Sequence, residues 1–561
     1  MRYNSQKDGL MKRILGIAIM LVLAAGTAYI FRTEIALEAI GVMNRLLTPV
    51  GPHQVVDWST NSTPIERDDR PNIILIVADD LGWNDLTFNG GGVAGGSVPT
   101  PNINAIAAQG VTFTNGYAAF SSCAPSRAAL MSGRYPTRFG FAYTPTPPGM
   151  LKMVNMLGAG SDETRPPVFT RFDEIEGEVP SYEEMGMPAS EVTLAETLKA
   201  AGYHTAHIGK WHLGRANGMA PHDQGFDESL LMHSGLYLPE DDPDVVNSKQ
   251  DFDPIDRFLW KGMSYAASFN GGSAFEPGGY LTDYYTAEAI KVIEHNQDRP
   301  FFLYLAHWAP HTPLQATRAD YDALAHIKLH RERVYAAMIR ALDRGVGQVM
   351  QALKDNGIDD NTLVIFTSDN GGAGYIGIDA VNDPFRGFKL QLFEGGIHVP
   401  FMMRWPGHIA PDTVVNEPVQ HFDIYSTAAA AAKATVDSER LDGVNLLPYL
   451  DDATRPGTPP HDALFWLNGG YQVILSKGWK LQKSQRPDTI RLFNLTTDPT
   501  EQHNVAAENP ERVEHMLAAL AAHVAQQPPP AWPAQVELPV RIDQNDARPW
   551  AADDEYIYIT N

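Results

Sequence analysis

The chain has 561 residues, a formal net charge of −24 and a single cysteine. Lys and Arg number 43 against 67 Asp and Glu, the wrong balance for a protein that grips nucleic acid through its phosphates. One cysteine excludes an intrachain disulfide, a Cys-rich zinc site and an iron–sulfur cluster, and 44% hydrophobic with 20% charged residues excludes a disordered or collagen-like chain.

In chain order, Lys7, Lys12 and Arg13 precede an uncharged, mostly apolar stretch of 18 residues, 14–31. A spanning helix needs about 20 such residues, and a secretory signal usually has a shorter apolar region. The basic flank favours an N-terminus that stays cytoplasmic. Residues 1–33 are read as a signal or membrane-anchor segment, with length favouring the uncleaved anchor. The remainder is expected to be exported: periplasmic, secreted, or tethered to the membrane and facing away from the cytoplasm. Residues 34–70 read as a linker, with a short amphipathic helix over 34–47 and then a stretch rich in Pro, Ser, Thr and Asp.

From residue 71 the texture changes. Apolar runs at 73–78, 203–208, 301–306, 363–367 and 399–404 suit strands buried on both faces. Helical patterns at 191–201, 284–295 and 331–356 lie between them. The alternation predicts an α/β domain over 71–414, a large mixed, mainly parallel sheet sandwiched by helices. Short strands at 463–467, 471–476, 479–483 and 491–494, then a helix at 510–526, predict a smaller C-terminal α+β domain over 415–526 with a short antiparallel sheet. Residues 527–561 form a Pro-rich, then acidic, tail, wrapping or loose.

The predicted strands end in chemistry. Asp79 and Asp80 close the first, Lys210 and His212 follow the second, His307 the third with His311 shortly after, and Asp369 and Asn370 the fourth. In open α/β sheets the carboxyl ends of strands gather into one crevice. Either acidic pair alone reads as ordinary turn residues. Two such pairs after equally apolar strands point to a hard cation, Ca²⁺ or Mg²⁺, because adjacent buried carboxylates repel unless neutralised. Cys123 precedes Pro125 at the start of a predicted helix, the end at which anions bind, with Arg127 one turn in. Alone, a lone cysteine leans to an inert core thiol, and Lys210, His212, His307 and Lys389 to snorkelling lysines and satisfied histidines. Together they make a site for a tetrahedral oxyanion with groups for proton transfer.

Cys123-Ala-Pro-Ser-Arg127, followed by Leu130-Met-Ser-Gly-Arg134, resembles the signature of type I sulfatases, arylsulfatase-like and formylglycine-dependent members of the alkaline phosphatase superfamily. Ala78-Asp-Asp-Leu-Gly-Trp83, Gly209-Lys-Trp-His-Leu-Gly214, Ser368-Asp-Asn-Gly-Gly372 and Lys389 before Phe-Glu-Gly-Gly are similar to family motifs in family order, over about residues 71–510. His398 departs from the pattern, where Arg is commoner. The resemblance implies an alkaline-phosphatase-like fold and a sulfuric ester hydrolase, with 71–414 as its catalytic domain. It implies that a formylglycine-generating enzyme converts Cys123 to 3-oxoalanine (formylglycine), and that Asp79, Asp80, Asp369, Asn370 and the modified Cys123 bind Ca²⁺, or Mg²⁺. It further implies that Arg127 holds the formylglycine and that Lys210, His307 and Lys389 grip the sulfate. Lys389 or His307 would protonate the leaving alcohol, and His212 would act on the hydrate hydroxyl. Two other readings stand beside it: a phosphonate monoester or phosphodiester hydrolase of the same superfamily, and an inactive sulfated-glycan-binding protein. The ester stays open among aryl, sugar and steroid sulfates. Residues 141–190, with several Pro and Gly and weak periodicity, are expected to form a long loop bordering the substrate entrance.

Overall fold

Seven consecutive residues, Asn72–Ala78, form strand β1, and every one of them is buried. A strand covered on both faces needs this continuous apolar pattern rather than alternation. The computed structural model describes residues 32–58, 69–147, 149–158, 164–451 and 453–561. The apolar stretch at 14–31 lies outside the described residues, among which no helix is long and apolar enough to cross a membrane.

After β1 the main sheet contains β2 (Val111–Phe113), β3 (His204–Gly209), β4 (Glu228–Gly235) and β5 (Tyr265–Phe269). It continues with β6 (Phe301–Ala306), β7 (Thr362–Ser368), β8 (Phe401–Arg404) and β9 (Thr413–Val415). The spatial order is β9-β2-β8-β7-β1-β6-β3-β4-β5. The central run β7-β1-β6-β3-β4 is parallel, and β8 and β5 pair antiparallel at its two sides. The sheet is thus mixed and mainly parallel, as the strand and helix alternation predicts.

The helices are α1 (Arg32–Leu47), α2 (Cys123–Ser132), α3 (Met150–Gly158), α4 (Leu194–Ala200), α5 (Pro254–Gly262), α6 (Leu281–His295), α7 (His330–Asp355), α8 (Phe422–Ala431) and α9 (Pro510–Val524). Helices α6 and α7 cover one face of the sheet, burying Ile74, Ile76, Leu303 and Leu305. Helices α2, α4 and α8 cover the other, burying Ile73, Leu75, Val77 and Phe302. Alternate residues of each strand therefore enter different cores.

The C-terminal region is an antiparallel meander of β10 (Leu464–Asn468), β11 (Tyr471–Ser476), β12 (Trp479–Gln485) and β13 (Asp488–Asn494). Helix α9 packs on it through Met516 and Leu520. A buried ion group joins this sheet to the main body: Lys480 of β12 lies 2.8 Å from Glu394 and 3.0 Å from Glu501. The Tyr117 hydroxyl donates to Glu394 at 2.9 Å. His398 belongs to the same group, 2.8 Å from Glu394 and stacked on Phe385. Burial works against ionising Glu394, but Lys480 and His398 hold its carboxyl below the usual range.

Two segments differ from expectation, and a third, the tail, takes the wrapping form. The linker reading fails at residues 55–58, where Val56 and Trp58 are buried and the Trp58 indole donates to Glu288 at 2.7 Å; residues 59–68 lie outside the described ones. The 141–190 loop contains α3, a helix of nine residues whose buried positions are few, Met153 and Leu157. The tail is paired: β14 (Val536–Arg541) joins β15 (Tyr556–Thr560) and also Phe169–Thr170, and Trp532 is buried against Phe141.

Trp58→Ala removes a buried indole and leaves the Glu288 Oε2 without that donor, while Lys291 still pairs with Oε1. We expect a loss of about 3–5 kcal/mol, read as a lower urea midpoint at unchanged slope.

Candidate active site

Register places the chemistry. Ala78 pairs with Ser368, Val77 with Ala306, and Gly209 with Ala306. The next residues, Asp79, Asp369, His307 and Lys210, therefore emerge in one row at the carboxyl edge of four adjacent strands. Helix α2 is aimed at this row. Ser122 caps it in an extended conformation, Gly133 ends it at φ 67°, and all its residues are buried. Gly133 permits that left-handed ending, where a side chain is strained.

Arg127 is the hub. Its guanidinium lies 2.8 Å from Asp369 and 3.1 Å from Asp79, and all three side chains are fully buried. It also donates to the Tyr304 hydroxyl at 3.2 Å and to the Lys210 carbonyl at 3.3 Å. Lys210 reaches Asp79 at 2.7 Å and sits 4.6 Å above the Trp308 ring. Lys389 reaches Asp80 at 2.7 Å, the Cys123 sulfur at 3.2 Å, the Tyr375 hydroxyl at 3.1 Å and the His311 ring at 3.3 Å. Asn370 donates to Asp80 at 2.8 Å. Asp80 and His212 both adopt left-handed backbone, φ 61° and 62°, which costs of order 1–3 kcal/mol each for residues other than glycine.

The electrostatics follow from burial. Burial alone would raise all three carboxyls, but Lys389 and Lys210 hold Asp80 below its usual range, and Arg127 and Lys210 do so for Asp369. Asp79 is pushed up to about 7 by burial and by Asp369. Burial and Asp369 push the Cys123 thiol up to about 12. Burial disfavours charge on Lys389, yet Asp80 and its neighbours raise it well above the usual value. Burial, with the two lysines beside it, holds His311 well below the usual value; burial, Lys210 and Arg127 do so for His212. Both imidazoles are neutral at pH 7.

The structure brings together nine of the ten predicted residues and corrects the tenth. His307 stands in the right row, but neither ring nitrogen has a partner among the described residues, and burial alone lowers it to about 4. Past β6 the chain turns back, with the His311 amide donating to the Trp308 carbonyl at 2.9 Å. That turn delivers His311 to the site, 3.5 Å from Asp80. The sequence does contain the signal, an Ala-Pro-His turn that a count of strand ends passes over. Tyr375, which donates to Asp80 at 2.7 Å, carried no signal beyond the glycines before it. Among the described residues the His212 ring has one hydrogen-bond partner, the Pro145 carbonyl at 3.4 Å, and its Nδ1 is buried without one.

The donors fit a cation. Asp79, Asp80, Cys123 and His311 each offer an atom, all within 4.8 Å of one another. The Asn370 Oδ1 is buried with no partner among the described residues. Asp369 joins them through the Asp80 amide, which donates to it at 3.2 Å. The oxygens of Asp79, Asp80, Asp369 and Asn370 suit a hard ion. Above lies a cavity of about 840 Å³, with Cys123, Lys210, His212, His311, Tyr375 and Lys389 in its wall. Residues of the 141–190 segment, Tyr143 and Met150 among them, line it as well.

Comparison with known proteins gives this geometry a context. The family model described as Sulfatase matches residues 71–434, and that described as N-sulphoglucosamine sulphohydrolase, C-terminal, matches 388–527. The chain is 32% identical over 476 residues to the N-acetylgalactosamine-6-sulfatase of Mus musculus, covering 82% of each chain. It is 30% identical to the arylsulfatase of Hemicentrotus pulcherrimus over 409 residues, covering 71% of this chain and 64% of that one. Among solved structures, Ps i-CgsB in complex with k-i-k-neocarrahexaose is similar at a TM-score of 0.67 and 32% identity, covering 82% of this chain and 94% of that one. PsFucS1 sulfatase from Pseudoalteromonas sp. is similar at 0.61 and 25% identity, covering 82% and 90%.

Arg127→Met takes the bridging cation from between Asp79 and Asp369, leaving Asp79 to Lys210 alone and Asp369 without its ion pair. Removing one partner of a buried ion group costs about 3–5 kcal/mol, so the variant should melt well below the parent. Arg127→Lys should recover only part of the loss, because an ammonium cannot donate to both carboxylates and Tyr304 in one plane.

Proposed function

The chain belongs to the sulfatase family, and from that premise we propose how its pocket hydrolyses a sulfate ester. It is a sulfuric ester hydrolase. The observation that carries the mechanism is the meeting of Cys123, Lys210, Lys389 and His311 at the floor of one cavity, over a buried carboxylate cluster. Converted to formylglycine by a formylglycine-generating enzyme, residue 123 would present a hydrated aldehyde whose two hydroxyls serve attack on sulfur and later release of sulfate. Asp79, Asp80, Asp369 and Asn370 would hold Ca²⁺, or Mg²⁺ in its place, which supplies positive charge for the sulfate oxygens.

The remaining roles belong to side chains in view. Lys210 and Lys389 are buried and charged, so they bind the sulfate oxygens in a medium where a charge counts for more than in water. Lys389, touching both the sulfur of Cys123 and His311, hands a proton to the departing alkoxide, while the His311 ring, its Nδ1 donating to the Thr312 carbonyl at 2.6 Å, turns its Nε2 lone pair to Lys389 and orients it. This reading puts His311, and not His307, beside the proton donor. His212, neutral and with Nδ1 free of partners, takes the proton from the second hydroxyl. Arg127 fixes the carboxylates and the helix that carries residue 123. The relatives' names support a sulfated sugar among the esters. The basic flank and the apolar stretch at 14–31 support export, and a membrane tether where that stretch stays uncleaved.

Three measurements test this reading. His311→Ala should lower kcat/KM for a small aryl sulfate by at least about 100-fold, in the range of a lost general acid–base group, whereas His307→Phe should keep most of it; the reverse order would return the role to His307. Chelation should lower the melting temperature along with activity, since an ion bound only to the folded state stabilises it, and added Ca²⁺ should restore both except in Asp80→Ala. Cys123→Ser, left unmodified, should become sulfated once without sustained turnover, and Cys123→Ala should show neither, by intact-protein mass spectrometry; sustained turnover by the alanine variant would mean that water attacks sulfur directly.

A further inference from the structure

The cavity wall away from Cys123 has a chemistry that the hydrolysis itself does not require. Helices α1, α3 and α5 meet in a hydrophobic cluster of their own, with Leu37, Met153, Leu157, Phe258 and Leu259 buried in it. Helix α1 approaches α5 closely at Gly41, where a Cβ would lie 2.7 Å from the Lys261 carbonyl oxygen. From this cluster Met150, Phe258, Leu259 and Met263 face the cavity, and Met43 and Leu151 line it beside them. No Asp or Glu lines it among the described residues, and Arg215 is its one Lys or Arg besides Lys210 and Lys389. Arg215 is already engaged, donating to the His233 carbonyl at 3.0 Å and lying 5.8 Å from the Tyr182 ring centre.

A sugar polymer bearing further sulfates or carboxylates finds Arg215 alone to receive them on this wall, and a chain of net charge −24 repels polyanions at long range. Asn44, Thr48 and Ser264 are polar side chains in the wall, but a sugar ring set against its Met and Leu side chains leaves hydroxyls unpaired there. A hydrocarbon meets no such loss. The volume of about 840 Å³ lies high in the range of about 300–1,000 Å³ usual for small-molecule sites. The apolar character also continues to the outside: Val42, Met43, Leu46 and Leu47 of α1 are 48%, 53%, 76% and 75% exposed, at helical spacing.

We propose that the preferred substrate is an amphiphilic sulfate ester, in which the sulfate is carried by an alcohol with a hydrocarbon body that fills the cavity against α1, α3 and α5. The inference rests on the sulfatase reading above and departs from the sulfated sugar that the relatives' names support.

The test is kcat/KM of the full chain on primary n-alkyl sulfates from butyl to decyl, kept below micelle-forming concentrations, beside galactose 6-sulfate. The leaving alcohol is chemically constant through the series, so the trend reports the cavity. Burying each methylene should raise kcat/KM about threefold until the wall is filled, so decyl should exceed butyl by at least about 100-fold. Met43→Glu and Met150→Glu should each shrink that decyl-to-butyl ratio at least about fivefold, a charge on the wall opposing the hydrocarbon. A ratio below about threefold, by the same measure, or a higher kcat/KM for galactose 6-sulfate than for decyl sulfate, would overturn the inference. Calorimetric binding of non-hydrolysable n-alkanesulfonates, which needs no turnover, separates the two claims. Affinity that rises with chain length while no ester is turned over would sink the sulfatase reading and keep the amphiphile site; affinity independent of length would sink the amphiphile site alone.

Discussion

Arg127 facing Asp79 and Asp369 is the contact on which the rest of the structure depends. Parallel strands bring β1 and β7 side by side, and their ends then present carboxylates to each other in the interior. Two such charges in a low dielectric repel by several kcal/mol unless a cation lies between them. The guanidinium is suited to that place, planar and permanently charged, with enough donors for both partners and Tyr304. Because Arg127 is one turn into α2, satisfying the carboxylates also fixes where the first turn of α2 sits. Cys123 is at the cavity floor as a result. Lys210 and Lys389 complete a group in which cations and carboxylates are matched in number, so a further divalent ion would leave the site net positive, the polarity that an oxyanion seeks.

The same arrangement explains why strain is tolerated there. Asp80 and His212 hold left-handed backbone without being glycine. Asp80 is pinned by Lys389, Asn370, Tyr375 and, through its own amide, Asp369. Such over-determination keeps a costly conformation populated, and it preorganises the carboxylate before any ligand arrives.

Much of this was legible in the sequence, and for identifiable reasons. Uninterrupted runs such as Asn72–Ala78 and Phe301–Ala306 have one stable environment, the middle of a covered parallel sheet, so both fold class and strand ends could be read. Once the strands are parallel, the rule of carboxyl ends gathers Asp79, Lys210 and Asp369 without further knowledge. It fails for His307 because the rule locates a backbone position and says nothing of the turn that follows; His311 reaches the site through that turn. Trp58 was lost in a polar stretch because its partner, Glu288, is 230 positions away. Helix α3 was lost because only Met153 and Leu157 carry its buried face. Local pattern reads elements whose stability is local or two-sided, and misses those held by a single distant contact.

The group of Lys480, Glu394 and Glu501 has a consequence for genetics. Glu394 follows Lys389 by five positions, on the stretch that leads from the pocket back to β8, and it is tied to β12 of the C-terminal sheet. A neutral residue at 480 would leave two buried acids together and loosen the stretch that holds Lys389. A selection that scores only catalysis would therefore return Lys480 alongside Lys389, although no part of β12 lines the cavity. For the same reason the α/β portion severed from the C-terminal sheet would be a poor unit for recombination: the sheet holds in place one of the lysines that the pocket uses.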